Sequence, residues 1–482
     1  MKRVVVPEFT SLHVSPPSPI PVGVLFILLG LCGFLAGLLA RETLDPYTPR
    51  LLLAIGAIGL GMGLFILGMV KTGLIVHLCL IGSILDQWEG LDFIGIPFLT
   101  LSKILILMAG CILIVRAWMR PSIGSELKYP TPVIAHIPFS LVCLVSALAF
   151  GYSLTNSVRW VIAPVTLPIF AFILTQFITS GRQAARLTQA FAIYSFFPIA
   201  VASAEILSHR RIGGSIEILT YGAADIFRVA GNFDNPNDFV VLILFSIPIL
   251  LLWALRTTSL TARIALIGGV LLQGMILLKT YSRSGYLSLG CVFVAMLFLG
   301  RGRSRRLALA VCLLGAIAAI SLPDVRERIL SLVGIRPSAS GASQALASLN
   351  YRKMLLAVGW NEFLEHPFLG TGFGNIGFEA KKYSSLLYQS SIENTYLEIL
   401  AEMGIVGLTF YLGFVCVFAK VLLSGLRESR GEPLVEPYYL ALACGYCGLA
   451  VNGLFDTNLV DNLPWVLLPL LLHLRPDETV ET

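Results

Sequence analysis

The chain has 482 residues, of which 56% are hydrophobic and only 13% are charged, and its formal net charge is +6. A soluble chain of this length would divide into domains rather than enlarge one core, so the excess of apolar residues predicts an all-α integral membrane protein with lipid-facing surface. Its basic residues are spread over short segments, which argues against nucleic-acid binding.

The first 19 residues are basic, then polar and proline-rich, and a long apolar run begins at Ile20. This pattern predicts a cytoplasmic tail, residues 1–19, before a retained helix rather than a cleaved signal peptide. Because about 20 apolar residues cross a bilayer, the apolar runs predict about 14 spanning helices. The predicted spans are residues 20–40, 51–70, 72–86, 97–117, 132–153, 158–178, 187–207, 238–255, 264–281, 285–300, 307–322, 404–423, 437–454 and 459–474.

These spans divide the chain into an N-terminal transmembrane bundle, residues 20–322, and C-terminal transmembrane helices, residues 404–474. Between them lies a large, partly helical loop, residues 323–403, and residues 475–482 form a second tail. A shorter outer loop over residues 208–237 interrupts the bundle. Long loops of this kind usually carry function or disorder.

The distribution of lysine and arginine predicts the orientation of these spans. With both termini in the cytoplasm, most basic residues, including the cluster RGRSRR at 301–306, fall on the cytoplasmic side. This is the bias that bacterial membrane proteins show. Both long loops are then expected to be periplasmic.

Basic residues also gather on the predicted outer side. They are Arg210, Arg211, Arg228, Lys279 and Arg283. Arg283 is predicted to end the ninth span, with Lys279 one helical turn below it on the same face. An arginine at membrane depth is costly, and its planar guanidinium suits phosphate oxygens. From the residues alone, two explanations of Arg283 are equally good. It binds an anionic ligand, or it reaches lipid headgroups or pairs with Asp234 or Asp238.

Three further segments lie in or beside the outer loops. In FRVAGNFDNPNDF, Asn237 or Asp238 is predicted to cap the eighth span. EHPFLGTGFGNIGFE has a GxGxG pattern but no preceding strand, so a nucleotide loop is rejected, and His366 within it is weak support for a site. In SSIENTYLEILAEMG, a helix is predicted to start near Asn394. Glu393 is either part of a capping box with Ser390 or a general base.

Together the segments RVAGNFDNPNDF, YSRSG, WNEFLEHPFLGTGFGN and ENTYLEILAEMGIVG resemble the O-antigen ligase and polymerase superfamily. Members of this family are polytopic bacterial inner-membrane glycosyltransferases with a large outer loop. The resemblance covers residues 210 to 425, whereas the first half of the chain resembles the family only in being a stack of helices.

The resemblance implies that Arg228 and Arg283 hold the diphosphate of an undecaprenyl-linked glycan. The family's ligases have a histidine before the asparagine of the last motif, and this chain has Glu393 there. That departure favours a polymerase of surface polysaccharide over a lipid A core ligase, with Glu393 as the catalytic base. The expected substrate-binding residues are Arg210, Arg211, Lys279, Asn394, Tyr396 and His366.

In the implied reaction a sugar hydroxyl attacks the anomeric carbon and expels undecaprenyl diphosphate, whose developing charge the arginines stabilise without a metal or cofactor. The implied partners are a lipid-linked glycan, a glycan or lipid acceptor, membrane lipid and other polysaccharide-assembly proteins, but no nucleic acid. Two alternatives stay open: a transporter or flippase of a lipid-linked glycan, and a non-catalytic component of a polysaccharide export complex.

Overall fold

A computed structural model describes residues 27, 61–86, 100–119, 127–150, 154–212, 227–321, 342–384, 391–459 and 461–476. The chain divides into two units, residues 1–74 and 75–482. In the first unit, the described residues include the helix Gly61–Val70. The site lies entirely in the second unit.

Every regular element in the described part of the chain is a helix, as the apolar composition predicts. The α-helices that follow Gly61–Val70 are α1 (Thr72–Leu85), α2 (Leu101–Met119), α3 (Thr131–Phe150), α4 (Leu154–Thr175), α5 (Gly181–Tyr194), α6 (Phe196–Ser208), α7 (Pro236–Arg256), α8 (Leu260–Thr280), α9 (Arg283–Leu299), α10 (Gly302–Ser321), α11 (Ala342–Glu365), α12 (Ile376–Glu379), α13 (Thr395–Glu428), α14 (Glu436–Asn452) and α15 (Asn462–His473). A short 3-10 turn, Ala380–Lys382, follows α12.

Among the described residues, six helices are long and apolar enough to cross a membrane. They are α2, α3, α5 with α6 as one stretch (Gly181–Ser208), α7, α8 and α13. Shorter apolar helices accompany them, α9 and α15 included. The prediction of an all-helical membrane protein is therefore confirmed, whereas the count of about 14 spans stays a prediction. The predicted first span, residues 20–40, lies outside the described residues except for Ile27.

Helix α7 is the core of the second unit, since it is buried along nearly its whole length and packs against α5, α8 and α14. Small residues allow this close packing. A Cβ atom on Gly445 of α14 would lie 2.3 Å from the ring of Phe245 in α7. Likewise, one on Gly285 of α9 would lie 2.7 Å from Val240.

Helix α13 is long because two helices meet in it at Gly404, where φ is 64° and ψ is −163°. A backbone of that shape is open mainly to glycine. The break falls at the first residue of the predicted span 404–423. The preceding residues, from Thr395 on, form a helix that lies in the predicted outer loop. Within that loop, residues 350–365 are helical, as the apolar spacing of NYRKMLLAVGWNEFLEHPFLG indicates, and the helix extends back to Ala342.

Candidate functional site

The connection between α8 and α9 corrects the predicted position of Arg283. Helix α8 ends at Thr280, because Tyr281 adopts a left-handed backbone with φ of 51°. Ser282 then caps α9, its Oγ accepting a hydrogen bond from the Gly285 N–H at 3.1 Å. Arg283 is therefore the first residue of α9 and is buried, with 9% of its surface exposed. The prediction that it shares a helical face with Lys279 is wrong, and Lys279 is exposed.

Arg228 is attached to the same connection. Its Nε donates to the Thr280 carbonyl at 2.9 Å, and its Nη2 donates to Asn237 Oδ1 at 3.3 Å. Ser282 Oγ donates to that same Asn237 oxygen at 2.8 Å. The two arginines singled out from the sequence, which are 55 positions apart in the chain, are thus both anchored on residues 280–283.

Asn235, and not Asn237 or Asp238, caps α7. Its side chain accepts a hydrogen bond from the Asn237 N–H at 2.9 Å, and Pro236 occupies the first turn. Proline is favoured at the first helical position because its φ is already helical. The helix therefore starts at Pro236, and its cap is the residue directly before it, Asn235. The Asn237 side chain is thereby available to Arg228.

Arg211 has a structural role in the loop before α7. Its guanidinium donates to the Phe233 carbonyl at 2.7 Å and forms an ion pair with Glu205 at 3.4 Å. Glu205 is fully buried and accepts hydrogen bonds from the N–H groups of Ala230 and Gly231. These contacts account for Arg211 without a ligand, and Arg210 is exposed. A substrate contact by either arginine stays a prediction.

Glu393 pairs with an arginine that the sequence reasoning missed. Arg352 of α11 places its Nε 2.7 Å from Glu393 Oε2. Glu393 has a left-handed φ of 52° and precedes the helix cap, which is Asn394, whose side chain accepts from the Leu397 N–H at 2.9 Å. The capping-box interpretation of Glu393 is therefore wrong, whereas the predicted helix start near Asn394 is confirmed.

The loop between α14 and α15 is tied to the start of α13. Thr395 donates its N–H to the Gly453 carbonyl at 2.8 Å and its hydroxyl to the Asp456 carbonyl at 2.9 Å. Tyr396 and Asn394, both predicted to bind substrate, donate to backbone carbonyls at the end of α14 and just after it. These bonds place Asp456 beside Glu393.

Asp456 is the second residue that sequence reasoning missed. It is 6% exposed; its Oδ1 accepts from the Thr457 N–H at 2.9 Å, and its Oδ2 has no hydrogen-bond partner among the described residues. The pKa of this carboxyl is raised to about 6, mainly by desolvation and also by the charge of Glu393, whereas the hydrogen bond from Thr457 and the charges of Arg352 and Arg228 oppose the rise. Asp456 is thus within electrostatic reach of all three groups.

Four charged side chains from four separate segments therefore converge: Arg228, Arg352, Glu393 and Asp456. Two basic groups could bind an anion, and two carboxylates could accept a proton. We call these four residues the charged cluster.

The glycine-rich segment at 370–374 packs against α13. Thr371 and Gly372 donate their N–H groups to the carbonyls of Ala401 and Glu402 at 3.0 and 2.9 Å. The Glu402 carboxylate accepts from the Ile376 N–H at 3.0 Å. A Cβ atom on Gly370 would lie 2.1 Å from the Glu402 backbone. The pattern of glycines thus serves close packing of two backbones, in line with rejecting a nucleotide loop.

Residues 268–412 match the family model described as "O-Antigen ligase". This match supports membership in the O-antigen ligase superfamily. No curated protein gives a significant match to it. Membership supports a ligase- or polymerase-type role in polysaccharide biosynthesis and implies lipid-linked glycan substrates in general.

The O-antigen ligase segment runs from within α8 to within α13. It contains Arg283, Arg352 and Glu393, whereas Arg228 and Asp456 lie on either side of it. The charged cluster is therefore assembled partly from outside the matched segment.

His366 lies apart from the charged cluster. Its ring, with the carboxylates of Glu362 and Glu365, forms a group whose ligand atoms all lie within 4.8 Å of one another, so these residues could hold a metal ion. Glu362 lies ten residues after Arg352 on α11, which is about 15 Å along a helix axis. A role of His366 in binding substrate stays a prediction.

Proposed function

We propose that this protein transfers or polymerises a glycan from an undecaprenyl-diphosphate carrier onto an acceptor hydroxyl at the periplasmic face of the bacterial inner membrane. The single observation that carries the proposal is the charged cluster, within and next to the O-antigen ligase segment, whose Arg228 is hydrogen-bonded to the connection that leads into Arg283. The expected product is a surface polysaccharide such as O-antigen, capsule or exopolysaccharide.

The arginines suit the leaving group of this reaction. When a sugar hydroxyl attacks the anomeric carbon, the bond from that carbon to the diphosphate oxygen breaks and the oxygen gains negative charge. Preorganised cations at a site shielded from water stabilise such charge strongly. Arg228 is held by hydrogen bonds to Thr280 and Asn237, and Arg283 is buried at the start of α9, so we expect both to need little reorganisation.

The reaction also needs a base for the hydroxyl proton. Glu393 is the base expected from the family position, but its carboxylate is engaged by Arg352. Asp456 has an oxygen without a hydrogen-bond partner and a pKa raised to about 6, by burial first, which suits a base near neutral pH. We infer that Asp456 accepts the proton and that Glu393 positions Arg352.

The proposal includes the orientation predicted from the positive charges, with about 14 spans and both termini in the cytoplasm. Arg283 then lies at the periplasmic end of α9, and Arg228, in the segment before α7, contacts the start of α7 and the end of α8. Because neither residue lies in the centre of a helix, both suit a headgroup at the surface more than a solute that crosses the membrane.

The decisive test is transfer from a purified lipid-diphosphate glycan by the purified protein. Arg228→Ala and Arg283→Ala should each lower turnover at least about 100-fold, and lysine should restore only part of it. Arg301→Ala, an exposed arginine outside the site, is the matched control. Full activity in both alanine variants would remove the arginines from the mechanism.

The same assay separates the alternatives. One added glycan indicates a ligase, and a ladder of products indicates a polymerase. Movement of the intact lipid-linked glycan across vesicles without a new linkage would instead establish a transporter. No activity of either kind, with the protein correctly inserted, would favour a component of an export complex.

A further inference from the structure

A cavity of about 310 Å³ opens at the other end of α7. Its polar lining includes three arginines from two helices: Arg182 and Arg186 from α5, and Arg256, the last residue of α7. Trp253 and Tyr438 also line it. None of these residues takes part in the charged cluster.

The start of α5 places Arg182 and Arg186 on the same side of the cavity. Ser180 caps α5, accepting from the Gln183 N–H, so the helix starts at Gly181. Arg182 and Arg186 are four residues apart and therefore lie on one helical face. A hydrogen bond from Gln189 of α5 to the Tyr438 hydroxyl joins this helix to α14.

The cavity is strongly basic. The described ion pairs include one near it, between Arg256 and Glu436 at 4.0 Å, and none of them involves Arg182 or Arg186. Three guanidinium groups thus face one carboxylate, so an anion at this cavity is favoured. The planar fork of an arginine matches the oxygens of a phosphate or a carboxylate two at a time.

The location points to a lipid. Asn237 near the start of α7 contacts Arg228, and Arg256 ends the same helix. These two positions are 19 residues apart in the chain, which corresponds to about 30 Å along a helix, the thickness of a bilayer core. The cavity therefore lies at the opposite membrane surface from the charged cluster. Trp253 and Tyr438 are of the aromatic types that concentrate at this depth.

We propose that this cavity binds the headgroup of an anionic phospholipid. Its basic rim takes the phosphate, and its apolar lining, which includes Ala185, Pro433 and Leu434, accommodates the start of the acyl chains. Basic cavities between membrane helices are known to hold such headgroups. The inference is independent of glycan transfer and needs no activity as its readout.

Native mass spectrometry of the full chain, released from vesicles of equal phosphatidylglycerol and phosphatidylcholine, tests the proposal. Wild type should retain phosphatidylglycerol in preference to phosphatidylcholine. The variant R182Q/R186Q should lose this retention by about 25-fold, since each arginine near a membrane surface strengthens binding about fivefold. R301Q/R303Q is the matched control, because Arg301 and Arg303 are both exposed. They follow Gly300, which lies close to Leu440, and Leu440 is two residues from Tyr438 in the cavity lining.

Three results would overturn the proposal. The first is equal retention of both lipids by wild type, a measurement that does not depend on any variant folding. The second is equal loss in R182Q/R186Q and R301Q/R303Q, which would indicate general surface charge. The third is displacement of phosphatidylglycerol by millimolar inorganic phosphate, which would indicate a site for the free ion.

Discussion

Replacing Asp456 by asparagine should make the protein more stable and less active. The folded state raises the pKa of this carboxyl from 3.8 to about 6, mainly by desolvation. A raised pKa in an acid means that the folded state binds the proton more tightly than the unfolded state. Stability therefore falls as pH rises from about 4 to about 6 and stays lower above that range.

The magnitude follows from the shift. Two pKa units at about 1.4 kcal/mol each give a destabilisation of about 3 kcal/mol at pH 7.5. Asp456→Asn removes the charge and keeps an oxygen for the Thr457 N–H. The variant should therefore exceed wild type by about 3 kcal/mol at pH 7.5 and match it below pH 4. Without a base, glycan transfer should fall about 100-fold or more.

Unfolding by denaturant in mild detergent at pH 4 and pH 7.5 measures the stability, and transfer from the lipid donor measures activity. Glu428→Gln is a control, because this carboxylate is about half exposed in its pair with Arg475, and it should show no such pH dependence. A variant that is less stable than wild type at pH 7.5 would refute the reasoning about desolvation. One that transfers glycan normally would refute the assignment of the base.

Three further predictions concern the backbone break, the ion pair and metal. Gly404→Ala should destabilise the protein by roughly 3 kcal/mol or more in the same unfolding measurement, since φ is +64° and the added Cβ would lie 2.3 Å from the Phe368 backbone. Gly413→Ala on the same helix is the control and should be neutral, because the added Cβ would meet nothing within 4 Å. Arg352→Ala should lower transfer about 10-fold, because it removes the cation that Glu393 positions, and Arg352→Lys should restore part of the activity. Unchanged turnover would show that this ion pair has no part in the reaction. EDTA should leave transfer unchanged, because guanidinium groups supply the positive charge, and a loss reversed by Zn²⁺ would contradict this.

Several expectations based on local sequence were confirmed because local sequence controls them. A helix begins near Asn394 because asparagine is a good cap, and residues 350–365 are helical as their apolar spacing predicts. Others were wrong because a neighbour had a stronger local preference. Pro236 moved the cap of α7 to Asn235. The left-handed Tyr281 ended α8 without glycine, which the pattern around Arg283 did not reveal.

The sequence by itself determined that this is a helical membrane protein of the O-antigen ligase superfamily, because apolar runs and short motifs are local properties of the chain. Only the tertiary structure decided that Arg352 and Asp456 join Arg228 and Glu393. These residues come from α11, from the loop after α14, and from the segments before α7 and α13. Periodicity and capping describe each segment alone, whereas their meeting depends on which helix ends pack together.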